Sequence, residues 1–234
     1  MGKEHMSSQF DAELNEVRVR LLEMGGKVEL MIANSINSLV ERDSALAERT
    51  IAFDVEINRM EVEIDEKCLH LLARRQPAAR DLRFVTLALK IVTDLERIGD
   101  QCVSIARQAI ELNREPQLKP YIDLPRMADA ANNAVRAALD AFVRGDVPTA
   151  VRICQDDSMV DELHDQLQRE LLTFMMEDSA TVERAMRITS VSKFLERIAD
   201  HATNIAEMVV FMVDGKDIRH ALVSPPHAGD QTCL

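Results

Sequence analysis

Two short patterns in the chain carry the types and spacing for chemistry: Glu96-x-x-x-Asp100 and Glu196-x-x-x-Asp200. Residues four apart share one helix face, with about 6 Å between their Cβ atoms. Each pattern therefore sets two carboxylates side by side, a mildly unfavourable pairing unless solvent or a counter-charge offsets it. Helical hairpins would add further oxygens. Positions equally distant from a turn near Pro77 set Asp54 level with Asp100 and Asn58 level with Glu96. A second turn between Asp178 and Ser179 sets Asp157 level with Asp200 and Asp161 level with Glu196. Asn204 follows Asp200 by one helical turn and offers an amide oxygen, where the first half has Ser104. Oxygen-only groups of this kind suit hard cations such as Mg, Mn, Ca or iron. The second group has four carboxylates and the first has three plus an amide, so the second is expected to bind more strongly. The plain alternative is a solvated acidic face.

The histidines add little to this chemistry. His201 adjoins Asp200, and His164 follows Asp161 by three. Both fit surface histidines with a carboxylate neighbour. A di-iron bundle core needs Glu-x-x-His on two helices, and the single near match, Asp161-Glu-Leu-His164, disfavours it. The chain contains no G-x-G-x-x-G, P-loop, G-x-S-x-G or H-E-x-x-H pattern, so the common nucleotide, hydrolase and zinc-protease signatures are absent.

The elements that position these residues follow from apolar periodicity. Repeats at three and four predict helices over about 8–43, 45–75, 79–113, 122–144, 147–176 and 180–214. The seam Ile91, Leu95, Ile98, Cys102 and Ile105 marks the third, and Leu195, Ile198, Ala202 and Ile205 mark the sixth. Relative to these seams the Glu and Asp pairs face outward or line a groove edge. Asp146 is placed to cap the fifth helix, and Gly215 to end the sixth. Gly25-Gly26 sits inside the first helix, as a kink or a point of close packing. Leu95-Glu-Arg-Ile-Gly-Asp100 recurs as Leu195-Glu-Arg-Ile-Ala-Asp200, at an offset of 100 residues. Arg42-Asp43 is echoed by Gly145-Asp146. A tandem duplication follows. The fold expected is all-α: two tandem pseudo-symmetric three-helix bundles over 8–115 and 121–215, with a loose tail over 216–234.

Composition agrees with that architecture and bounds the partners. The 234 residues are 47% hydrophobic but only 3% aromatic, with 12 Met and no Trp. That is an aliphatic bundle core with methionine as filler. The net charge of −12 repels phosphate backbones and anionic headgroups, so nucleic acid and bare membrane are poor partners. No apolar run approaches the ~20 residues a membrane span needs. Cys68, Cys102, Cys154 and Cys233 form no C-x-x-C pair and read as small apolar residues in a reducing compartment. These features, and no secretion signal, lead us to expect a cytoplasmic protein.

Several motifs together resemble the PhoU family of phosphate-signalling proteins: Met24-Gly-Gly26, Arg75-Gln-Pro77, Asp81-Leu-Arg83, Asp94-Leu-Glu-Arg-Ile-Gly-Asp100, Met175-Met-Glu-Asp178 and Leu195-Glu-Arg-Ile-Ala-Asp200. The resemblance spans about residues 8–220. It implies two tandem three-helix bundles and a non-enzymatic negative regulator of phosphate uptake and the phosphate regulon. It further implies an adaptor, expected to be a homodimer, between the phosphate ABC transporter ATPase (PstB) and the sensor histidine kinase (PhoR). Some members hold metal clusters on the repeated E(D)-x-x-x-D motif. By that resemblance Glu96/Asp100 with Asp54/Asn58, and Glu196/Asp200 with Asp157/Asp161, would hold a divalent or trivalent ion (Fe, Mg, Mn or Zn). Two departures favour unequal sites: Ala199 stands where the first repeat has Gly99, and Asn58 lacks the charge of Asp161. The alternatives are a metal-dependent carboxylate-cluster enzyme and a metal-storage protein.

Overall fold

The helices form where apolar residues recur along one face, and the breaks fall at the capping residues and at Gly and Pro. The computed structural model describes residues 2–75, 77, 79–155, 158–215 and 218. Among these the elements are α1 (Gly2–Val40), α2 (Ser44–Arg75), α3 (Ala79–Asn113), α4 (Asp123–Arg144), α5 (Val147–Gln155), α6 (Ser158–Glu177) and α7 (Val182–Asp214). A single 3-10 turn, Ser179–Thr181, precedes α7. The all-α architecture of two tandem three-helix bundles is the one the chain adopts. α1, α2 and α3 pack on one another, and α4 and α7 pack together with α5 and α6. The fifth helix expected over 147–176 is described as two pieces, α5 and α6. Residues 156 and 157 between them lie outside the described residues, as does all of the expected 216–234 tail except Ile218.

The bundles share one seam. α3 and α7 run antiparallel against each other, and α1 crosses α4. The register is fixed at three levels. Arg83 Nε donates to the Met212 carbonyl at 3.1 Å. His201 Nδ1 lies 2.9 Å from Asp94 Oδ1. Arg187 Nη1 donates to Gln108 Oε1 at 3.2 Å. At the α1–α4 crossing, a Cβ on Gly25 would collide with the Leu139 side chain. Gly25 is therefore a point of close packing, and α1 continues through it. The Phe84 and Phe142 rings stack at 5.1 Å and tie α3 to α4.

The core is aliphatic, and Cys68 and Cys102 are buried within it. Burial, followed by the nearby Asp65 charge, pushes the Cys68 thiol up to about 12. Such a thiol stays protonated and packs as a small apolar group.

The two α-hairpin turns preserve the duplication. Gly145 (φ 68°) and Arg42 (φ 59°) both adopt the left-handed conformation that ends a helix. The next residue in each caps the following helix. Asp43 Oδ1 accepts from the Leu46 amide at 2.9 Å, and Asp146 Oδ1 from the Thr149 amide at 3.1 Å. A left-handed conformation at a non-glycine residue costs about 1 kcal/mol. Arg42 offsets that cost by donating from Nη2 to the carbonyls of Asn113 (2.7 Å) and Glu115 (2.6 Å), where the chain leaves the first bundle. Arg42→Ala keeps the strain and loses both bonds, an expected loss of roughly 1–3 kcal/mol. Arg42→Gly relieves the strain and is expected to lose less. Urea denaturation should therefore order the proteins as wild type, then Arg42→Gly, then Arg42→Ala. Arg42→Ala as stable as wild type would show that the side chain does not hold the turn.

Candidate functional site

α2 carries its core residues Ile57, Met60, Ile64 and Cys68 on one stripe. Immediately beside it, at steps of four, three and four, run Asp54, Asn58, Glu61 and Asp65. α3 faces this second stripe with Glu96, half-buried, and Asp100, exposed. Gly99 sets the approach. A Cβ there would stand 3.3 Å from Asp54 Oδ1 and 3.4 Å from Ile57 Cγ2. The missing side chain lets the Asp54 carboxylate settle against the α3 backbone. Asn58 Nδ2 donates to Asp54 Oδ2 at 3.1 Å. The other oxygen of Asp54, and Oδ1 of Asp65, are buried acceptors with no hydrogen-bond donor among the described residues.

This packing strains the charges. Burial raises the Asp54 pKa above the ordinary carboxylate value and Asp100 adds repulsion, against the Asn58 hydrogen bond and Arg107. Glu61 is raised by burial, then by Asp65 and Asp100. Glu96 is raised by burial, then by Asp100, Glu61 and Asp54, with Arg97 opposing. Burial raises Asp65. Burial and like charge act together on this one face.

Asp54, Glu96 and Asp100 therefore come together on one face, and Asn58 joins them through its hydrogen bond to Asp54. Glu61 and Asp65 belong to the same group, beyond the residues that the hairpin register pairs. Neither is level with Glu96 or Asp100 about the turn at Pro77, but helical side chains reach up to a turn along the axis. The signal was the three-four spacing that continues from Asp54 and Asn58.

The second repeat differs in its counter-charges. Lys193 Nζ bonds Glu196 Oε2, and His164 Nε2 stands 3.9 Å from the same oxygen. His164 Nδ1 lies 2.9 Å from Ser192 Oγ. Asp161 and Asp200 are exposed and each has an interaction partner. Asp157 lies outside the described residues. Asn204 lines a groove of ≈ 470 Å³ between α3 and α7, together with Lys90, Asp94 and Arg97. His201 is held across the seam by the buried Asp94. Among the described residues Glu196 therefore has a lysine and a histidine close beside it.

Among the described residues no three His, Cys, Asp or Glu side chains already close on one point as metal ligands. The donor chemistry of the first face still fits a hard cation. It is made of oxygens, two of them are buried acceptors without donors, and its charges repel one another.

The comparisons with known proteins coincide with the repeat. The model of the PhoU domain matches twice, over residues 21–109 and 124–209. The chain belongs to the PhoU family. It is 46% identical over 217 residues to the phosphate-specific transport system accessory protein PhoU homolog of Pseudomonas putida, covering 92% of this chain and 85% of that one. It is 39% identical over 216 residues to the accessory protein PhoU of Escherichia coli K12, covering 92% and 90%. The crystal structure of PhoU from Pseudomonas aeruginosa superposes with a TM-score of 0.85 at 44% identity, covering 88% of this chain and 100% of that one. PhoU from Streptococcus pneumoniae, a phosphate transport system regulatory protein, superposes at 0.83 with 30% identity, covering 89% and 98%. The first PhoU-domain match contains Glu61-x-x-x-Asp65 and Glu96-x-x-x-Asp100, and the second contains Glu196-x-x-x-Asp200.

The raised carboxylates fix the sign of a pH effect. A group whose pKa is higher in the folded state favours folding below its unfolded pKa, and that contribution is lost as pH rises through the folded value. Glu61→Gln removes one such charge. It should stabilise the protein by about 0.2–0.5 kcal/mol at pH 7–8, and the gain should vanish toward pH 4. Urea midpoints of wild type and variant across that range give the difference directly. A gain that is constant with pH would exclude charge repulsion as its source.

Proposed function

We propose that this chain is an accessory regulator of a phosphate-specific transport system. In this reading it acts without catalysis, as an adaptor between the transporter ATPase (PstB) and the sensor histidine kinase (PhoR), and it restrains phosphate uptake when phosphate is plentiful. The observation that carries the reading is the family match across both repeats, with relatives similar over nearly their whole length that are named as accessory proteins of that system. Long helices with exposed faces suit docking, and among the described residues no helix is long and apolar enough to cross a membrane.

The acidic face of the first repeat is the proposed cation site, with Asp54, Asn58, Glu61, Asp65, Glu96 and Asp100 as its oxygens. A bound cation would supply charge neutralisation there. The face of the second repeat, with Glu196, Asp200 and Asp161, is the proposed weaker counterpart, because Lys193 and His164 already stand against Glu196.

Two measurements test these readings separately. Deleting the gene should leave a phosphate-repressed promoter active in high phosphate. The purified chain should retain the ATPase or the kinase cytoplasmic domain on an affinity matrix. Normal repression together with no retention of either partner would sink the adaptor. For the cation site, calorimetric titration with Mn²⁺ should show binding that Glu96→Gln weakens roughly tenfold. Equal affinity in wild type and variant would remove the site assignment and leave the adaptor reading intact.

A further inference from the structure

At the end of the molecule where α3 begins and α4 and α7 finish, the charge reverses. A pocket of ≈ 280 Å³ there is lined by Arg18 of α1, Arg80 and Asp81 of α3, and Arg144 of α4, with Phe84 and Phe142 as its apolar wall. In a chain of net charge −12, three guanidiniums against one carboxylate make a local positive site.

Not every arginine at this end has the same reason to be there. Arg83, one turn along α3, holds the Met212 carbonyl near the end of α7. Arg144 stands at the C-terminal end of α4, where a cation complements the helix dipole, and it contacts Asp140 at 3.4 Å. Arg18 lies over the Phe84 ring, its Cζ 4.5 Å from the centroid. Stacking fixes a guanidinium plane and leaves its in-plane N–H donors available. Arg80 reaches toward the turn at Gly145, its Nη2 3.8 Å from where a Cβ would stand. Among the described residues neither Arg18 nor Arg80 has a carboxylate within ion-pair distance, although the chain carries 40 acidic residues.

The geometry points to an oxyanion site in this pocket, one that takes a phosphate group. Guanidinium forks match phosphate oxygens in pairs. The aromatic wall limits solvent on one side, which strengthens those bonds relative to open water. The pocket is larger than a bare phosphate ion, so the group could arrive as free inorganic phosphate or as a small phosphate ester. The site stands on its own residues. Only its consequence, that the accessory protein would itself read phosphate, rests on the regulatory reading above.

The test uses the full-length purified chain at constant ionic strength, titrated with inorganic phosphate and, separately, with AMP. Readouts are isothermal titration calorimetry and the melting midpoint. At least one anion should bind and raise the midpoint progressively, while equivalent chloride should not. Binding of phosphate identifies the free ion as a sufficient ligand, and binding of AMP alone identifies an ester. Arg80→Gln and Arg18→Gln should each weaken binding roughly tenfold, and Arg49→Gln, an exposed arginine on α2, should not. Circular dichroism of the unliganded variants checks the fold. If Arg18→Gln disturbs packing against Phe84, the exposed Arg80→Gln carries the test alone. No binding of either anion up to about 10 mM, or undiminished binding in Arg80→Gln, overturns the site.

Discussion

The antiparallel contact between α3 and α7 constrains everything else. Each of these helices belongs to the core of its own bundle and also packs against its counterpart in the other. A helix buried on two sides keeps only a narrow arc for polar groups. On α3 that arc holds Thr93, Glu96, Arg97 and Asp100, and on α7 it holds Lys193, Glu196, Arg197 and Asp200. The charges crowd because the packing leaves them nowhere else to lie. The seam itself is mostly apolar, and its polar contacts are specific. The buried Asp94 meets His201, while the residues at the pseudo-symmetric positions are Phe194 and Gln101, and Gln101 Oε1 is buried with no hydrogen-bond donor among the described residues. One crossing thus carries an ionisable pair and its twin does not, so the duplicated helices have diverged even where they touch.

The same divergence separates the two acidic faces. In the first repeat, Gly99 allows Asp54 to sit against α3, and a continuous stripe on α2 adds Glu61 and Asp65. In the second, Ala199 replaces the glycine, and Lys193 and His164 stand against Glu196. The turns diverge in a compensating way. Glycine takes the left-handed position at 145 at little cost. Arginine takes it at 42 and turns its side chain into a tie to the chain leaving the bundle. An ancestral unit used twice has kept its backbone plan and changed which side chains bear the strain.

How much of this was legible in the sequence depends on the range of the interaction. The seams of α3 and α7, the hairpin caps at Asp43 and Asp146 and the doubled architecture are local or periodic, and the residue pattern states them directly. So is the placement of Asp54 near Glu96 and Asp100, because one turn fixes the register of one hairpin. The Asp94–His201 contact depends on how the bundles dock. Adjacency to Asp200 suggested a different neighbour for that histidine. The arginine pocket gathers residues from three helices far apart in sequence, and no spacing rule connects Arg18, Arg80 and Arg144.

Segregated charge also bears on how such a protein responds to ligands. The carboxylates of the first face have raised pKa values, so ionising them at neutral pH costs folding energy. A native state that retains repulsion of this kind gives up stability a simpler surface would keep, and such sites commonly persist where binding needs them. Any cation or basic partner that relieves the repulsion is favoured by the energy it releases. By reciprocity, binding stabilises the hairpin that displays the charges. The face is built from α2 and α3, and α3 is also half of the seam. A ligand that tightens the α2–α3 hairpin therefore acts on a helix through which the two repeats touch. That is a physical route from a surface site to the relation between bundles. It requires differential binding between two arrangements of the seam, since a ligand indifferent to them would shift nothing.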